Sequence, residues 1–341
     1  MVVRLDELAV AVIGAPMAGG ASTPELVAAV NRAGGLGFLA AGYRSAAAMV
    51  EQIGRVRALT DRPVGVNLFV PAPPGDPAAV AGYRERLRPE AERWDVRLPE
   101  EIGPDRDDWE AKLAALLADP VEVVSYTFGL PTAAEAAAVR AAGMLQVGTV
   151  TTPGEARAAE AAGMDALCVQ GPEAGGHRAT HHVGDEPGTR PLLELLPAVR
   201  AVTALPLVAA GGLGDGAAVA AALRAGAVAV QLGTALLCAD ESGASAAHRA
   251  ALTALPETVV TRAFTGRPAR GLRNAFIDRY GRYAPPAYPE VHHLTQPLRA
   301  AATGRADLQA MHLWAGTAHR ATRPGPAEEI VAGLWRAARW A

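Results

Sequence analysis

The sequence predicts an α/β protein whose main body is a (β/α)8 TIM barrel carrying an accessory cap. Short apolar runs alternate with Ala-rich segments of helical periodicity through the first two thirds of the chain. Continuous apolar strands separated by helices are typical of a parallel sheet that is covered on both faces. Several helical segments end in an Ala-Gly pair, such as Ala33-Gly34 and Ala225-Gly226, and an apolar run follows soon after. This order of helix, glycine and strand is the unit that a (β/α)8 barrel repeats.

Eight strands are predicted from the apolar runs. In chain order they cover residues 10–15, 37–41, 64–69, 121–127, 145–150, 166–170, 207–210 and 229–233. Helical periodicity predicts helices between them, over residues 23–33, 45–59, 132–142, 152–162, 191–202 and 216–225. Thr23-Pro24 and Thr152-Pro153 each place a capping hydroxyl before a proline that the first helical turn accepts.

An open α/β sheet is the competing architecture. It would be favoured by a GxGxxG turn after the first strand, followed by an acidic residue about 20 positions later. Here the first strand leaves through Ala15-Pro16-Met17-Ala18-Gly19-Gly20. Because proline removes an amide that a phosphate-binding turn would use, the barrel is the better interpretation.

Two segments break the alternation and predict the accessory cap. Residues 71–119 open with four prolines and then show helical patterns over 78–94 and 108–117. From about residue 257 the pattern becomes irregular and rich in Arg, Tyr and Pro. We therefore divide the chain into a barrel of residues 1–256, with the inserted cap segment 71–119, and a C-terminal accessory region of residues 257–341. An insertion after the third strand lies at the carboxyl face of a barrel, where active sites form.

Composition limits the classes of function. The chain of 341 residues carries 35 acidic and 32 basic side chains, and half of its residues are apolar. This balance supports a large buried core and contains no basic block, which argues against nucleic-acid binding. No run of about 20 apolar residues exists that could span a membrane. Asp6 and Glu7 precede the first apolar run, which is unlike a signal peptide, so a cytoplasmic protein is expected.

Cysteines and histidines give little support for disulfides or metals. Cys168 and Cys238 both lie in apolar runs, so we interpret them as small buried hydrophobic residues. His181-His182 and His292-His293 are adjacent pairs, which do not chelate together as histidines four residues apart on a helix can. We expect no metal site.

The segment after the sixth predicted strand is the most informative candidate for chemistry. It reads Gln170-Gly171-Pro172-Glu173-Ala174-Gly175-Gly176-His177-Arg178. Adjacent glycines allow the backbone to approach a planar ligand closely. His177 has the side chain best suited to act as a general base near neutral pH, although a histidine on a flexible loop is the simpler interpretation.

Glycines also follow the seventh and eighth strands. The segments are Gly211-Gly212-Leu213-Gly214 and Gln231-Leu232-Gly233-Thr234. Barrels often bind phosphate at the loops after these two strands, and Thr234 adds a hydroxyl donor. Together the two loops favour a phosphate-bearing ligand. Asn67 and Gln170, at strand ends, have amides that could contact a heterocycle or instead cap turns.

The chain resembles the nitronate monooxygenase family, formerly called 2-nitropropane dioxygenases. The segments that carry the resemblance occur in family order along nearly the whole chain. They are APMAGGASTPELVAAVNRAGGLG (15–37), VNLF (66–69), VSYTFGLP (124–131), QGPEAGGHR (170–178), AAGGLGDG (209–216), QLGTALL (231–237), TGRPARGLRN (265–274) and LWAG (313–316).

The resemblance implies an FMN-dependent barrel with an accessory domain. It implies FMN contacts at Met17, Asn67, Gln170, Gly175, Gly212, Gln231, Leu232, Gly233 and Thr234. His177 matches the catalytic histidine that deprotonates neutral nitroalkanes or otherwise lies against the substrate. Some members carry a second active-site histidine in the motif of the fourth strand, where this chain has Thr127. Use of neutral nitroalkanes therefore stays open.

The expected function is oxidation of alkyl nitronates by FMN and O2 to a carbonyl compound and nitrite. The expected partners are the small nitronate and O2, and whether the protein forms a homo-oligomer is left open. An FMN-dependent NAD(P)H reductase of enoyl-thioesters or quinones is the alternative, because relatives of that kind share the Glu-Ala-Gly-Gly-His motif. A flavin-binding protein without activity is the third interpretation, disfavoured because His177 and the glycine loops are present.

Overall fold

The computed structural model describes residues 3–341, and its centre is a closed barrel of eight parallel strands. The barrel strands are β1 (Val12–Gly14), β2 (Leu36–Ala40), β3 (Gly65–Phe69), β4 (Val123–Thr127), β5 (Leu145–Val150), β6 (Ala166–Gln170), β8 (Leu207–Ala210) and β9 (Ala229–Leu232), while β7 (Gly176–His177) lies outside the barrel. Neighbouring strands follow chain order, and β1 pairs with β9 to close the sheet, with Ile13 opposite Gln231. The predicted barrel is confirmed.

Helices cover the outside of the barrel. They are α1 (Pro24–Arg32), α2 (Ala46–Leu59), α4 (Trp109–Ala118), α5 (Ala133–Ala141), α6 (Pro153–Ala161), α7 (Leu192–Arg200), α8 (Gly216–Arg224) and α12 (Ala327–Arg339). Thr23 caps α1, since its Oγ1 accepts the amide of Leu26 at 3.0 Å. Gly34 follows with φ of +93°, the conformation expected of a glycine that ends a helix.

Two of these outer helices come from segments that the sequence assigned to the cap. The first is α4, which lies within the predicted insertion 71–119 but packs against α2. The second is α12, which lies within the predicted accessory region 257–341 but packs against α1 and α8, with Val331 in the main apolar core. Each of the two cap segments therefore also contributes one helix to the wall of the barrel.

The remaining elements form the accessory cap. They are α3 (Pro77–Trp94), α9 (Ala246–Ala254), β10 (Thr258–Thr261), β11 (Ala269–Leu272), α10 (Ala275–Tyr280) and α11 (Glu290–Gly304). Helix α9 lies within residues 1–256, which the sequence assigned to the barrel, but its Ala251 and Leu252 belong to the apolar core of the cap. Helix α3 packs against α11, and their apolar side chains share a second core with Phe264 and Phe276. The regular elements after residue 257 were not predicted, because Arg, Gly and Pro interrupt their apolar patterns. No helix within residues 3–341 has the length and apolar character that a membrane crossing requires.

A buried carboxylate ties two parts of the cap together. Glu90 of α3 is only 1% exposed. It accepts hydrogen bonds from Trp94 Nε1 at 2.8 Å and from Tyr280 OH at 3.0 Å. Arg279 of α10 adds an ion pair at 2.9 Å. Because the carboxylate is both paired and hydrogen-bonded, the cost of burying its charge is offset.

A small antiparallel sheet, β10–β11–β7, connects the cap to the loop that follows β6. In this sheet His177 lies opposite Ala269, and Gly176 lies opposite Arg270. Backbone pairing on β11 therefore fixes the position of His177 beyond the carboxyl end of the barrel.

Candidate active site

A cavity of about 560 Å³ lies between the carboxyl ends of the barrel strands and the cap. Its size falls within the range of small-molecule and cofactor sites. Every site residue predicted from the sequence lines it: Met17, Asn67, Gln170, Gly175, His177, Gly212, Gln231, Leu232, Gly233 and Thr234. The chain thus brings these dispersed residues to one place, as expected for the carboxyl face of a barrel.

Close backbone packing explains several of the glycines in this wall. A Cβ atom at Gly175 would lie 2.5 Å from the amide nitrogen of Gly316, and one at Gly211 would lie 2.9 Å from the amide nitrogen of Ala174. Gly211 also has φ of +118°, which residues with side chains rarely adopt. The loops after β6 and β8 therefore need glycine to pack against neighbouring protein backbone. Gly233 differs, because a Cβ there would make only ordinary contacts, 3.5 Å from Ala15 and 3.8 Å from Met17.

Thr234 and Met17 both line the cavity, but only Thr234 has a hydrogen-bond donor that is free for a ligand. The Oγ1 of Thr234 accepts the amide of Gly316 at 2.9 Å, which leaves the hydroxyl proton free to be donated. The amide of Met17 donates to Ser22 Oγ at 2.8 Å, and the carbonyl of Met17 accepts the amide of Ser22 at 3.3 Å. The Met17 backbone is thus tied within its own turn.

Asn67 presents an acceptor to the cavity. Its Nδ2 donates to Ser125 Oγ at 2.9 Å and to Thr127 Oγ1 at 3.0 Å, and it lies 3.3 Å from the carbonyl oxygen of Ser125. Because a carbonyl oxygen can only accept, this contact assigns the nitrogen to the side facing β4. The Oδ1 atom has no donor among residues 3–341 and is the atom left for the cavity. Thr127 occupies the position at which some members of the resembled family carry a second histidine, and here it orients Asn67.

Gln170 positions the segment that carries His177. Its Nε2 donates to the carbonyl oxygen of His177 at 2.9 Å, and its Oε1 accepts the amide of Ala179 at 3.0 Å. Arg178, which is 1% exposed, donates from Nη1 to the carbonyl oxygen of Gly171. These bonds from β6 to its own loop hold the His177 backbone on the side opposite its pairing with β11.

The imidazole of His177 lies among aromatic rings and makes one side-chain hydrogen bond. Its ring centroid is 5.5 Å from that of Phe128, 5.7 Å from that of Tyr288 and 5.6 Å from that of Trp314. Its Nε2 lies 2.9 Å from Thr265 Oγ1, and that hydroxyl donates to the carbonyl oxygen of Arg267 at 3.3 Å. A Thr265 hydroxyl that donates to Arg267 accepts from Nε2–H, and this assigns the lone pair of the neutral ring to Nδ1.

Burial, followed by the positive charges of Arg267 and Arg299, lowers the pKa of His177 to about 3. The ring is therefore neutral at pH 7 and can accept a proton. Arg267 is fully buried, with its guanidinium 4.1 Å above the ring centroid of Phe128. No carboxylate among residues 3–341 forms an ion pair with Arg267 or Arg299. The site therefore has a net positive potential that favours an anionic substrate.

Sequence reasoning missed the part of the cavity wall that the cap supplies. Tyr43, which follows β2 with φ of +65°, stacks on His292 of α11 with ring centroids 4.1 Å apart. Arg299 of the same helix and Trp314 also line the cavity. Trp314 falls within the quoted LWAG segment, but no local pattern marked Tyr43, His292 or Arg299. Residues 3–341 contain no group of His, Cys, Asp and Glu arranged to hold a metal ion.

Comparison with known proteins adds to this geometry. A family profile described as nitronate monooxygenase matches residues 4–336. A "Probable nitronate monooxygenase" of Staphylococcus aureus strain Newman is 35% identical over 332 residues, which cover 95% of this chain and 92% of the relative. Another of that name, from Staphylococcus saprophyticus, is 38% identical over 317 residues, covering 91% of this chain and 89% of the relative.

Solved structures show the same likeness. A nitroalkane oxidase from Streptomyces ansochromogenes superposes with a TM-score of 0.95 and 50% identity, covering 98% of this chain and 97% of that one. FabK from Thermotoga maritima superposes with a TM-score of 0.76 and 25% identity, covering 99% of this chain and 97% of that one. The likeness therefore extends over the barrel and the cap together.

Proposed function

This chain belongs to the nitronate monooxygenase family and is therefore an oxidoreductase, and we propose that it oxidises alkyl nitronates with FMN and O2 to a carbonyl compound and nitrite. The observation that carries the proposal is the cavity at the carboxyl face, where neutral His177, Arg299 and the glycine loops meet, with Arg267 stacked on Phe128 of the cavity wall. Its positive potential suits a nitronate, which is an anion, better than a neutral substrate.

The residues of the cavity fit a flavin mononucleotide. Asn67 Oδ1 lacks a protein donor and can accept a hydrogen bond from a ring N–H. Thr234 retains a hydroxyl proton for a phosphate oxygen, and Gly212 and Gly233 line the same cavity. When bound, FMN supplies a ring that takes electrons from the substrate and passes them to O2. We propose that the barrel binds FMN and that the cap forms the substrate side of the cavity.

The protein has three tasks in this reaction. It holds the nitronate against the flavin, because Phe128 and Trp314 lie beside His177 in the cavity wall and limit the space for the substrate. It limits bulk water beside the substrate, because His292, Arg299 and Trp314 of the cap line the cavity together with the strand ends. For a neutral nitroalkane, Nδ1 of His177 would first remove the proton on the carbon next to the nitro group.

Purification followed by spectroscopy and oxygen uptake tests the proposal. We expect a yellow protein whose released chromophore has the mass of FMN and which consumes O2 when propionate-3-nitronate is added. Two nitronates and one O2 balance to two carbonyl compounds and two nitrites, whereas an oxidase would form one H2O2 for each nitrite. Measuring O2, nitrite and H2O2 together separates these stoichiometries. A protein that takes up no flavin, or that releases FAD, would contradict the assignment of FMN.

The second candidate function is reduction of enoyl-thioesters or quinones with NAD(P)H. The observation that favours this second candidate is the fold shared with FabK from Thermotoga maritima. Anaerobic stopped-flow mixing distinguishes the two functions. Reduction of the flavin by a nitronate and not by NADH or NADPH supports the first, and reduction by a nicotinamide alone overturns it.

A further inference from the structure

His292 of α11 lies in the same aromatic cluster as His177. Its ring stacks on Tyr43, with an interplanar angle of 4° and centroids 4.1 Å apart. It also meets the edge of Tyr288 at 6.5 Å, and Tyr288 in turn contacts His177 at 5.7 Å. Both histidines line the cavity, so they face one ligand space, and both rings contact Tyr288.

Arg299 determines which nitrogen of His292 carries the proton. The Nη2 atom of Arg299 lies 3.2 Å from His292 Nδ1 and donates to the His292 carbonyl oxygen at 2.8 Å. A guanidinium can only donate, so Nδ1 must be the acceptor and the proton of the neutral ring lies on Nε2. Arg299 is itself held by Thr295, whose Oγ1 accepts from Nε at 3.1 Å.

The Nε2–H group of His292 has no hydrogen-bond partner among residues 3–341, yet it is not sealed within the protein. It is therefore available to a ligand in the cavity. The charged or titratable groups that act on the ring are Arg299 and His293 of its own helix, and His177 and His312 from other elements. Burial, followed by Arg299, lowers the pKa of His292, so the ring stays a neutral donor at pH 7.

We propose that His292 contacts the substrate, donating its Nε2–H to an oxygen of the bound nitronate, and that Arg299 is a positioning residue that fixes this tautomer. The inference rests on the proposed function and adds a second recognition group to it. In this arrangement His177 faces the carbon end of the substrate as a proton acceptor, and His292 faces its charged N–O end as a donor. Tyr43 keeps the donor aligned by stacking.

Substitutions at two adjacent histidines test the proposal. His292→Phe preserves the aromatic stack and removes the donor, while His292→Gln restores an N–H donor. His293 is the matched control, because its Nε2 pairs with Asp105 at 2.8 Å at the protein surface. A hydrogen bond to a charged group is worth roughly 10- to 100-fold in affinity. We expect His292→Phe to raise KM for the nitronate by about that factor with kcat changed less, His292→Gln to recover part of it, and His293→Gln to match wild type.

A binding measurement separates failure of this inference from failure of the proposed function. Nitrite is a small planar oxyanion, and its binding to the purified flavoprotein can be titrated by the change in the visible spectrum without turnover. We expect its Kd to rise about 10-fold or more in His292→Phe and to be unchanged in His293→Gln. Wild type that binds nitrite through His292 but does not oxidise nitronates would refute only the proposed function. Equal Kd and KM in His292→Phe and wild type, with flavin retained, would refute the role of His292.

The tautomer can be read directly. In 15N-detected imidazole spectra, the signals lost in His292→Phe identify the ring, and we expect a neutral Nε2–H form between pH 6 and pH 8. Arg299→Met should raise the pKa of His292 and free the proton to exchange between both nitrogens. A proton on Nδ1, or a charged ring at pH 7 in wild type, would overturn the proposal.

Discussion

Replacing His177 by asparagine would show whether its imidazole acts as a base. The assigned tautomer of the neutral ring has its lone pair on Nδ1, with Nε2 at 2.9 Å from Thr265 Oγ1. Asparagine keeps an amide that can donate to Thr265 but cannot take up a proton at neutral pH. A neutral nitroalkane must lose a proton before oxidation, whereas a nitronate has already lost it. The substitution should therefore affect the two substrates differently.

The size of the difference follows from the environment of the ring. A positioned base contributes about 10²–10⁴-fold, or roughly 2.7–5.4 kcal/mol. Burial and two arginines lower the pKa of His177 to about 3, so the ring is fully neutral at pH 7 but is a weak base. We therefore expect His177→Asn to lose about 10²-fold on a neutral nitroalkane, at the lower end of that range. Activity on the matching nitronate should stay within about tenfold.

The assay compares kcat/KM for one nitroalkane and its preformed nitronate in the same buffer, with flavin content measured for each preparation. Deuterium on the carbon next to the nitro group should slow wild type on the nitroalkane and have no such effect on the nitronate. Equal, large losses on both substrates with flavin retained would refute the assignment of His177 as a base. Its imidazole would then act on the oxidation step. Absence of any nitroalkane activity in wild type would refute the base as well, and the variant would then mainly raise KM for the nitronate.

Three further predictions concern stability and the cavity wall. Half-buried His177 and His312 have pKa values lowered chiefly by desolvation, so the unfolded chain takes up protons at a higher pH than the folded protein does. The stability present above pH 6.5 should therefore fall on acidification by about 1.4 kcal/mol per pH unit and ring, measured by urea unfolding at pH 7 and pH 5.5. A slope unchanged in His312→Gln would contradict this. Glu90→Ala leaves two buried donors, Trp94 Nε1 and Tyr280 OH, without an acceptor. It should lower the free energy of unfolding by about 2–6 kcal/mol, and a loss below 1 kcal/mol would show that water replaces the carboxylate. Gly175→Ala should destabilise the fold by about 1–3 kcal/mol, because the added Cβ would clash with the backbone. Gly233→Ala should change the free energy of unfolding by less than about 0.5 kcal/mol but bind FMN more weakly. Equal melting temperatures for the two variants would disprove the packing argument.

The barrel could be predicted because each of its units is encoded locally. Apolar runs, Thr-Pro caps and Ala-Gly stops recur within single βα repeats, so they report the structure without knowledge of distant contacts. Residues His177, Asn67 and Thr234 could be found for a related reason, since strand ends of a barrel meet at one face wherever they occur in the chain.

The cap side of the cavity could not be found in this way. Tyr43 and His292 are separated by 249 positions in the chain yet stack in the fold, and nothing in the local sequence around either residue indicates the other. The adjacent His292 and His293 looked equivalent in sequence. Only the packing of α11 shows that one faces the cavity while the other pairs with Asp105 on the outside. Similarly, sequence alone could not place α12 on the barrel, because its apolar face fits a cap as well as a barrel.

The position of α12 constrains the order in which the protein can assemble during synthesis. The barrel strands are finished by residue 232, but the surface between α1 and α8 is covered only when residues 327–339 arrive. At a ribosome adding roughly 5–20 residues per second, the nascent barrel would wait several seconds with that apolar groove open. Helix α3 of the cap is inserted between β3 and β4, and the other cap elements are made within this interval, between β9 and α12. Both parts of the cap are therefore insertions within the barrel and not an appended domain. Exchange of caps between family members would therefore have to preserve α12, and truncation before residue 327 would expose the groove.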